Sequence, residues 1–188
     1  MRHAMVLLAD GFEEMEAVIP LDLLRRAKID CRAVSLGPRV VTGAHGISLI
    51  ADLALSDVCS AQTELLILPG GMPGTTHLKE SHELRRLLRE QAARGALLAA
   101  ICAAPLVLAA AGLLTGRRAT IHPDHTACMK QCLLQPDAVV IDHNIITANG
   151  PAAAVPFALT LIAMLGGDAA ALAATMGLAW QPLTRNIP

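Results

Sequence analysis

Four short apolar runs constrain this chain more than any other feature: "HAMVLLA" (His3–Ala9), "CRAVSL" (Cys31–Leu36), "ELLILP" (Glu64–Pro69) and "ALLAAI" (Ala96–Ile101). Each is continuous rather than alternating. A strand of that kind is covered on both faces, because a strand with one wet face alternates apolar and polar residues. Helical patterns lie between and after them. Glu13–Lys28 spaces Val18, Leu21 and Leu24 for one helix, and Ser81–Arg94 carries Leu84, Leu87 and Leu88 on one stripe with Ser81 as N-cap. Pro105–Ala111, Pro151–Leu165 and Asp168–Leu178 read as further helices. Two segments break this rhythm and read as hairpins: "VVTGAHGISLIAD", turning at Gly43–Gly46, and "AVVIDHNIITA", turning at Asp142–Asn144. Strand–helix alternation predicts an α/β fold, a mainly parallel sheet between two helical layers, whose chemistry lies beyond the C-terminal ends of the strands.

The 188 residues suit one domain, 1–188, without linker or repeat. Apolar residues are 54% of the chain but aromatic residues only 2%, so Ala, Leu, Val and Ile must build the core. A formal net charge of −1, with no run of like charge and few rings for stacking, removes nucleic acid as an expected specific partner. The apolar stretch near the start is interrupted by Asp10 and is too short for a signal peptide; Pro151–Leu165 is too short to span a bilayer. A soluble, cytoplasmic protein with no membrane partner is expected. Five cysteines at irregular spacing point to reduced thiols rather than a disulfide framework.

Three strand ends carry unusual residues. After "ALLAAI" comes Cys102, followed by the small residues Ala103 and Ala104 and then Pro105. A sharp strand-to-helix turn exposes its central side chain above the sheet and needs small neighbours, and a thiol there faces the positive end of a helix dipole, which favours a thiolate. The competing reading is a free cysteine packed as a small hydrophobe. After the third run, "PGGMPG" (Pro69–Gly74) places Gly70 and Gly71 where backbone amides can converge on an anion, as in an oxyanion hole; alone it is also an ordinary turn. After the first run, Glu13, Glu14 and Glu16 open a helix. Acidic residues suit a first helical turn, but Glu16 would project toward the top of the sheet, where a carboxyl group pressed against a thiolate has its pKa raised and carries a proton. His122, in "TIHPDH", ends a fourth strand-like piece before Pro123. His125, Cys128 and Cys132 follow at i, i+3 and i+7 and, with His122, offer a weaker alternative as zinc ligands, without the C-x-x-C spacing of structural zinc sites.

"LLADGFEEMEAVIPLDLLRRAKI", "LILPGGMPG", "AAICAAP" and the His-Pro pair together resemble the ThiJ/PfpI superfamily, in the branch that includes YajL and the Parkinsonism-associated protein DJ-1, over about Ala4 to Gly177. The resemblance implies a flavodoxin-like three-layer α/β sandwich and a homodimer. It implies Cys102 as an oxidation-prone nucleophile, Glu16 as the acid hydrogen-bonded to it, and His122 as a nearby histidine. Gly70, Gly71 and the Ala103 N–H become amide donors, and Arg26 an arginine near the site mouth. It implies a cofactor-independent enzyme without a metal, acting on 2-oxoaldehydes such as methylglyoxal or on their early adducts with proteins (a glutathione-independent glyoxalase or deglycase), linked to oxidative-stress protection. The alternative it carries is a redox-sensing, chaperone-like protein whose cysteine oxidises to sulfinate without turnover. Ala103 stands where PfpI-type peptidases have a histidine after the cysteine, which argues against peptidase activity. Asn149-Gly150-Pro151-Ala152 lacks the glycine and hydroxyl residue that often follow the family's Gly-Pro, and His45 replaces an arginine of some relatives.

Overall fold

A computed structural model describes residues 3–58 and 63–183. The first run becomes β1 (His3–Leu8), followed by α1 (Glu14–Arg26) and β2 (Asp30–Ser35). A small hairpin, β3 (Val40–Thr42) and β4 (Ser48–Ile50), precedes β5 (Leu53–Ala54). Then come β6 (Leu65–Leu68), α2 (Gly74–Glu80), α3 (His82–Ala93), β7 (Leu97–Ile101) and α4 (Pro105–Ala110). The last third holds β8 (Arg118–Ala119), a 3-10 turn over Pro123–Cys128, β9 (Leu133–Leu134), β10 (Val139–Asp142), β11 (Ile145–Ala148), α5 (Ala154–Met164) and α6 (Ala169–Thr175).

Seven strands form one sheet in the order β10-β11-β7-β6-β1-β2-β5; only the β10–β11 pair is antiparallel. This is the flavodoxin-like α/β sandwich. Its strands show why the apolar runs are continuous. Ala4, Val6 and Leu8 of β1, Leu65 and Ile67 of β6, and Ala99 and Ile101 of β7 point into the layer closed by α1, α5 and α6. Met5, Leu7, Leu66, Leu68, Leu98 and Ala100 point into the opposite layer, closed by α2, α3 and α4. Both faces are dry, so neither parity of residue can be polar. The core is aliphatic as expected, and both phenylalanines, Phe12 and Phe157, are fully buried in it.

Ser81 caps α3, its Oγ accepting the Leu84 N–H at 3.1 Å, and Leu84, Leu87 and Leu88 are buried together. Both hairpins form. The second is the β10–β11 edge of the main sheet, and the first is a separate two-stranded ribbon. Two helical expectations are corrected. Val18 is exposed, and α1 buries Ala17, Pro20, Leu21 and Leu24 instead. Residues Pro151–Ala153 form a 3-10 turn before α5. No helix among the described residues is long and apolar enough to cross a membrane.

Candidate active site

The β7–α4 junction turns on Cys102, a non-glycine residue at φ 62°. That conformation is strained for an L-residue and persists because its surroundings fix it. The Cys102 N–H donates to the Ala148 carbonyl of β11 at 2.9 Å, and its own carbonyl accepts the His122 N–H at 2.9 Å. Ala103 and Ala104 are buried, so the turn is closed by small side chains, while the Cys102 side chain remains half-buried at the end of the sheet.

Glu16 comes to this sulfur from the first turn of α1 and is fully buried. Its Oε2 accepts the Gly70 N–H at 2.7 Å. Its Oε1 is buried with no hydrogen-bond partner among the described residues, and the carboxyl as a whole acts on the Cys102 thiol. Gly70 lies between the two: a Cβ there would stand 2.7 Å from both the Cys102 Cβ and Glu16 Oε2. Gly71 sits at φ +86°, and a Cβ on it would run into the Glu13 nitrogen. The glycine pair therefore lets backbone approach side chains that no larger residue would admit.

The amides divide their work. The Gly70 N–H, expected as an oxyanion donor, is held by Glu16, which corrects that expectation. The Gly71 and Ala103 N–H groups act on the Cys102 sulfur. They are the two donors placed to receive an oxyanion formed at that atom.

Electrostatics couples the two side chains. Burial, the adjacent Glu16 carboxylate and its hydrogen bond push the Cys102 thiol up to about 12, against the lowering effect of the Ala103 and Gly71 amides. Burial likewise pushes Glu16 up to about 7, opposed by the Gly70 amide and by Cys102. The dipole of α4, only six residues long, is set against burial and the Glu16 carboxyl at the sulfur. Two negative charges are disfavoured at this spacing, so the pair keeps at least one proton through neutral pH.

His122 lies beside this junction. It begins the 3-10 turn, its Nδ1 accepts the Asp124 N–H at 3.4 Å, and its ring stands over Gly150, where a Cβ would be 3.4 Å from Cδ2. Arg26 does not reach the site. It is in the last turn of α1, and ten residues of helix from Glu16 span about 15 Å. Because α1 runs back along the sheet, Arg26 ends near the N-terminal ends of the strands, with its Nε on Asp22 at 2.7 Å.

The zinc alternative is also not assembled. An α-helical face was needed, but residues 123–128 form a 3-10 turn and the chain turns again at Met129–Cys132. The His122 and His125 rings are 6.2 Å apart, Cys128 is exposed, and the Cys132 thiol donates to the Met129 carbonyl at 3.2 Å. Glu14 was passed over as an ordinary first-turn acid. It is 6% exposed and holds the β3–β4 turn through His45, a contact between residues 31 apart in sequence that no local pattern signals.

A doubly wound α/β sandwich with a cysteine on a strained strand-to-helix elbow, a buried acid against it and two converging amides defines a nucleophile-elbow thiol protein. The chain belongs to the DJ-1/PfpI family, whose model matches residues 2–164. Drosophila melanogaster protein dj-1beta is 38% identical over 169 residues, covering 88% of this chain and 90% of that one. A Caenorhabditis elegans relative named glutathione-independent glyoxalase DJR-1.2 is 34% identical, again over 88% of this chain and 90% of its own length. Some relatives are longer: the chain spans 42% of Arabidopsis thaliana protein DJ-1 homolog B at 35% identity over 96% of this chain. Among solved structures, Drosophila DJ-1beta superposes with a TM-score of 0.92 at 36% identity, covering 95% of this chain and 99% of that chain. An oxidised form of Toxoplasma gondii DJ-1 superposes at 0.88 with 34% identity, covering 96% and 100%.

Proposed function

We propose that the protein is a cofactor-independent cysteine enzyme that isomerises small 2-oxoaldehydes, methylglyoxal first among them, to 2-hydroxy acids without glutathione. The observation that carries this reading is Cys102 on its strained elbow with the buried Glu16 carboxyl against it and the Gly71 and Ala103 amides acting on its sulfur. A C. elegans relative named as a glutathione-independent glyoxalase supports it.

The proton arrangement sets the order of events. The Glu16 carboxylate first takes the proton of the Cys102 thiol, leaving the sulfur a thiolate held by the two amides. The thiolate attacks the aldehyde carbon, and the new C–S bond leaves an oxyanion at Gly71 and Ala103. Glu16 gives its proton to that oxygen, forming a hemithioacetal, and becomes a carboxylate. The carboxylate takes the hydrogen from the same carbon and returns it to the neighbouring carbonyl carbon, while the hydroxyl proton passes to the neighbouring oxygen. The product is a thioester on Cys102. Water cleaves its C–S bond, releasing the hydroxy acid and the thiol. No electrons are gained or lost overall. His122, whose N–H bonds the Cys102 carbonyl, is assigned to assist that water. Early protein adducts of the same dicarbonyls present a related hemithioacetal-like carbon and form the second substrate class of this proposal.

Purified protein is expected to convert methylglyoxal to lactate with many turnovers per chain in glutathione-free buffer. Conversion that stops at or below one equivalent contradicts the enzyme reading. A redox-sensing role is the second reading, favoured by the half-exposed position of Cys102 beside a proton-bearing acid. It predicts stoichiometric oxygen addition at Cys102 under mild peroxide, ahead of Cys31, Cys128 and Cys132, as read by peptide mass spectrometry. Buried Cys31, pushed up to about 12, is the inert internal control. Cys59, a fifth cysteine to be followed, lies outside the described residues.

We further propose that two chains pair through the exposed face of α1, where Met15 is 51% and Val18 41% accessible. Sedimentation equilibrium is expected to give twice the 19.6 kDa chain mass, and a Val18→Glu variant to give the single-chain mass. A wild-type monomer at tens of micromolar contradicts this.

A further inference from the structure

Three acids open α1, and each has a separate contact. Glu13 caps the helix, its Oε2 accepting the Glu16 N–H at 2.8 Å. Glu16 meets Gly70 and Cys102. Glu14 reaches the other way. Its Oε1 accepts the His45 N–H at 2.7 Å and the Ile47 N–H at 3.4 Å, and its Oε2 takes the His45 Nδ1–H at 2.8 Å. Gly43 is pressed so closely to this carboxylate that a Cβ would collide with it. Backbone bonds run alongside: Gly11 N–H to the Thr42 carbonyl and Ala44 N–H to the Phe12 carbonyl, both at 2.8 Å. On its other side the same Asp10–Glu16 segment is tied to the glycine loop, with the Glu13 N–H on the Gly70 carbonyl at 2.9 Å. The segment that carries Glu16 is thus gripped between the hairpin turn and the loop whose amides serve the sulfur.

We propose that Glu14 is a positioning residue of the Cys102 site: it fastens the Gly43–Ile47 turn to the first turn of α1, so holding the Glu16 carboxyl at the Gly70 amide, and His45 makes that fastening sensitive to pH. The catalytic part of this inference rests on the reading given under Proposed function; the fastening itself does not. Burial alone would raise Glu14, but the bonds from His45 and Ile47 outweigh it and hold the carboxyl below its usual range. In return the Glu14 bond and charge, with a smaller push from Glu13, raise His45 above its ordinary 6.5. Those two acids of α1 are the charged groups acting on the imidazole; the rest of the turn and the Pro69–Gly74 loop carry none. The sign follows. His45 is charged in both folded and unfolded chains well below 6.5, where the fastening is complete, and the charge-assisted part is lost as pH rises through the raised folded value. An arginine at this position would keep its charge throughout.

The test compares full-length wild type, Glu14→Gln, His45→Arg and His45→Gln by two readouts: methylglyoxal kinetics against pH, and NMR exchange of the Gly70 and Glu16 amides. Glu14→Gln is expected to lower kcat about tenfold or more with KM changed less than about twofold, because displaced catalytic groups cost rate rather than affinity. It should speed exchange of both amides by a similar factor. The wild-type to His45→Arg exchange ratio, in which intrinsic pH dependence cancels, is expected near one at pH about 5.5 and several-fold higher at pH about 9. His45→Gln should exchange fast at both. Wild-type exchange in Glu14→Gln, or a ratio independent of pH, overturns the proposal. Should Glu14→Gln fail to fold, the two His45 variants decide alone, since that side chain is exposed. An inactive wild type with the expected exchange pattern would remove the enzyme reading and leave the fastening in place; an active wild type with unaltered exchange would do the reverse.

Discussion

Replacing Cys102 with serine is expected to lower methylglyoxal turnover by on the order of 10³-fold or more, with folding stability within about 1 kcal/mol of wild type. Serine matches the thiol closely in size and tolerates the same elbow, so the Ala148 and His122 backbone bonds that fix it at φ 62° remain. What is lost is an atom able to carry negative charge beside Glu16 near neutral pH. A serine alkoxide is far harder to form than a thiolate. Turnover assay with a denaturation curve on the same preparation separates chemistry from folding. Residual activity within tenfold of wild type would move the reaction away from this sulfur. The same variant should also take up no oxygen at residue 102, so both functional readings meet here.

Replacing Glu16 with glutamine is expected to lower kcat about 10²- to 10³-fold with little change in KM, the usual range for losing a positioned general acid and base. Glutamine keeps the side-chain volume and an oxygen for the Gly70 N–H, now held at 2.7 Å by Oε2, but brings no transferable proton. The substitution also has a stability signature with a definite sign. Glu16 is raised to about 7 in the folded chain from an ordinary 4.5. Between those values the folded state holds a proton that the unfolded state has released. The stabilisation this provides is complete below 4.5 and is lost as pH rises through 7, by about 3 kcal/mol in all. Urea denaturation at pH 4.5 and pH 8 should show this fall in wild type and not in Glu16→Gln. Parallel pH dependence in the two proteins would mean the carboxyl is not held neutral by its site.

Much of this arrangement is legible in the sequence because it rests on local chemistry. The continuous runs ending at Leu8, Leu68 and Ile101 had to be strands covered on both faces, and in a doubly wound sheet the residues just past them meet at one edge. That alone brings Glu16, Gly71 and Cys102 together. Short elements escape such reasoning. β5, β8 and β9 are two residues long, and α2 opens with Gly74-Thr75-Thr76, a weak helical start. Arg26 escapes a motif, which gives neighbours in sequence, because a helix packed back on its strand carries its two ends to opposite ends of the strands. Glu14 and His45 were invisible as a pair because their contact is purely tertiary. The coupling of the thiol is illegible for a related reason: a helix dipole is a local feature, while the burial and the carboxyl that oppose it come from elsewhere in the chain.

The proton shared by Cys102 and Glu16 is tested most directly by the rate at which iodoacetamide alkylates Cys102 as pH is raised, in wild type and in Glu16→Gln. The account predicts that the wild-type rate begins to rise through the Glu16 titration near 7 and that removing the carboxyl shifts the profile, because a neutral amide no longer exchanges a proton with the sulfur. Identical profiles for the two proteins, each with one ordinary inflection near about 8.5, would show a sulfur indifferent to its neighbour and would contradict the account.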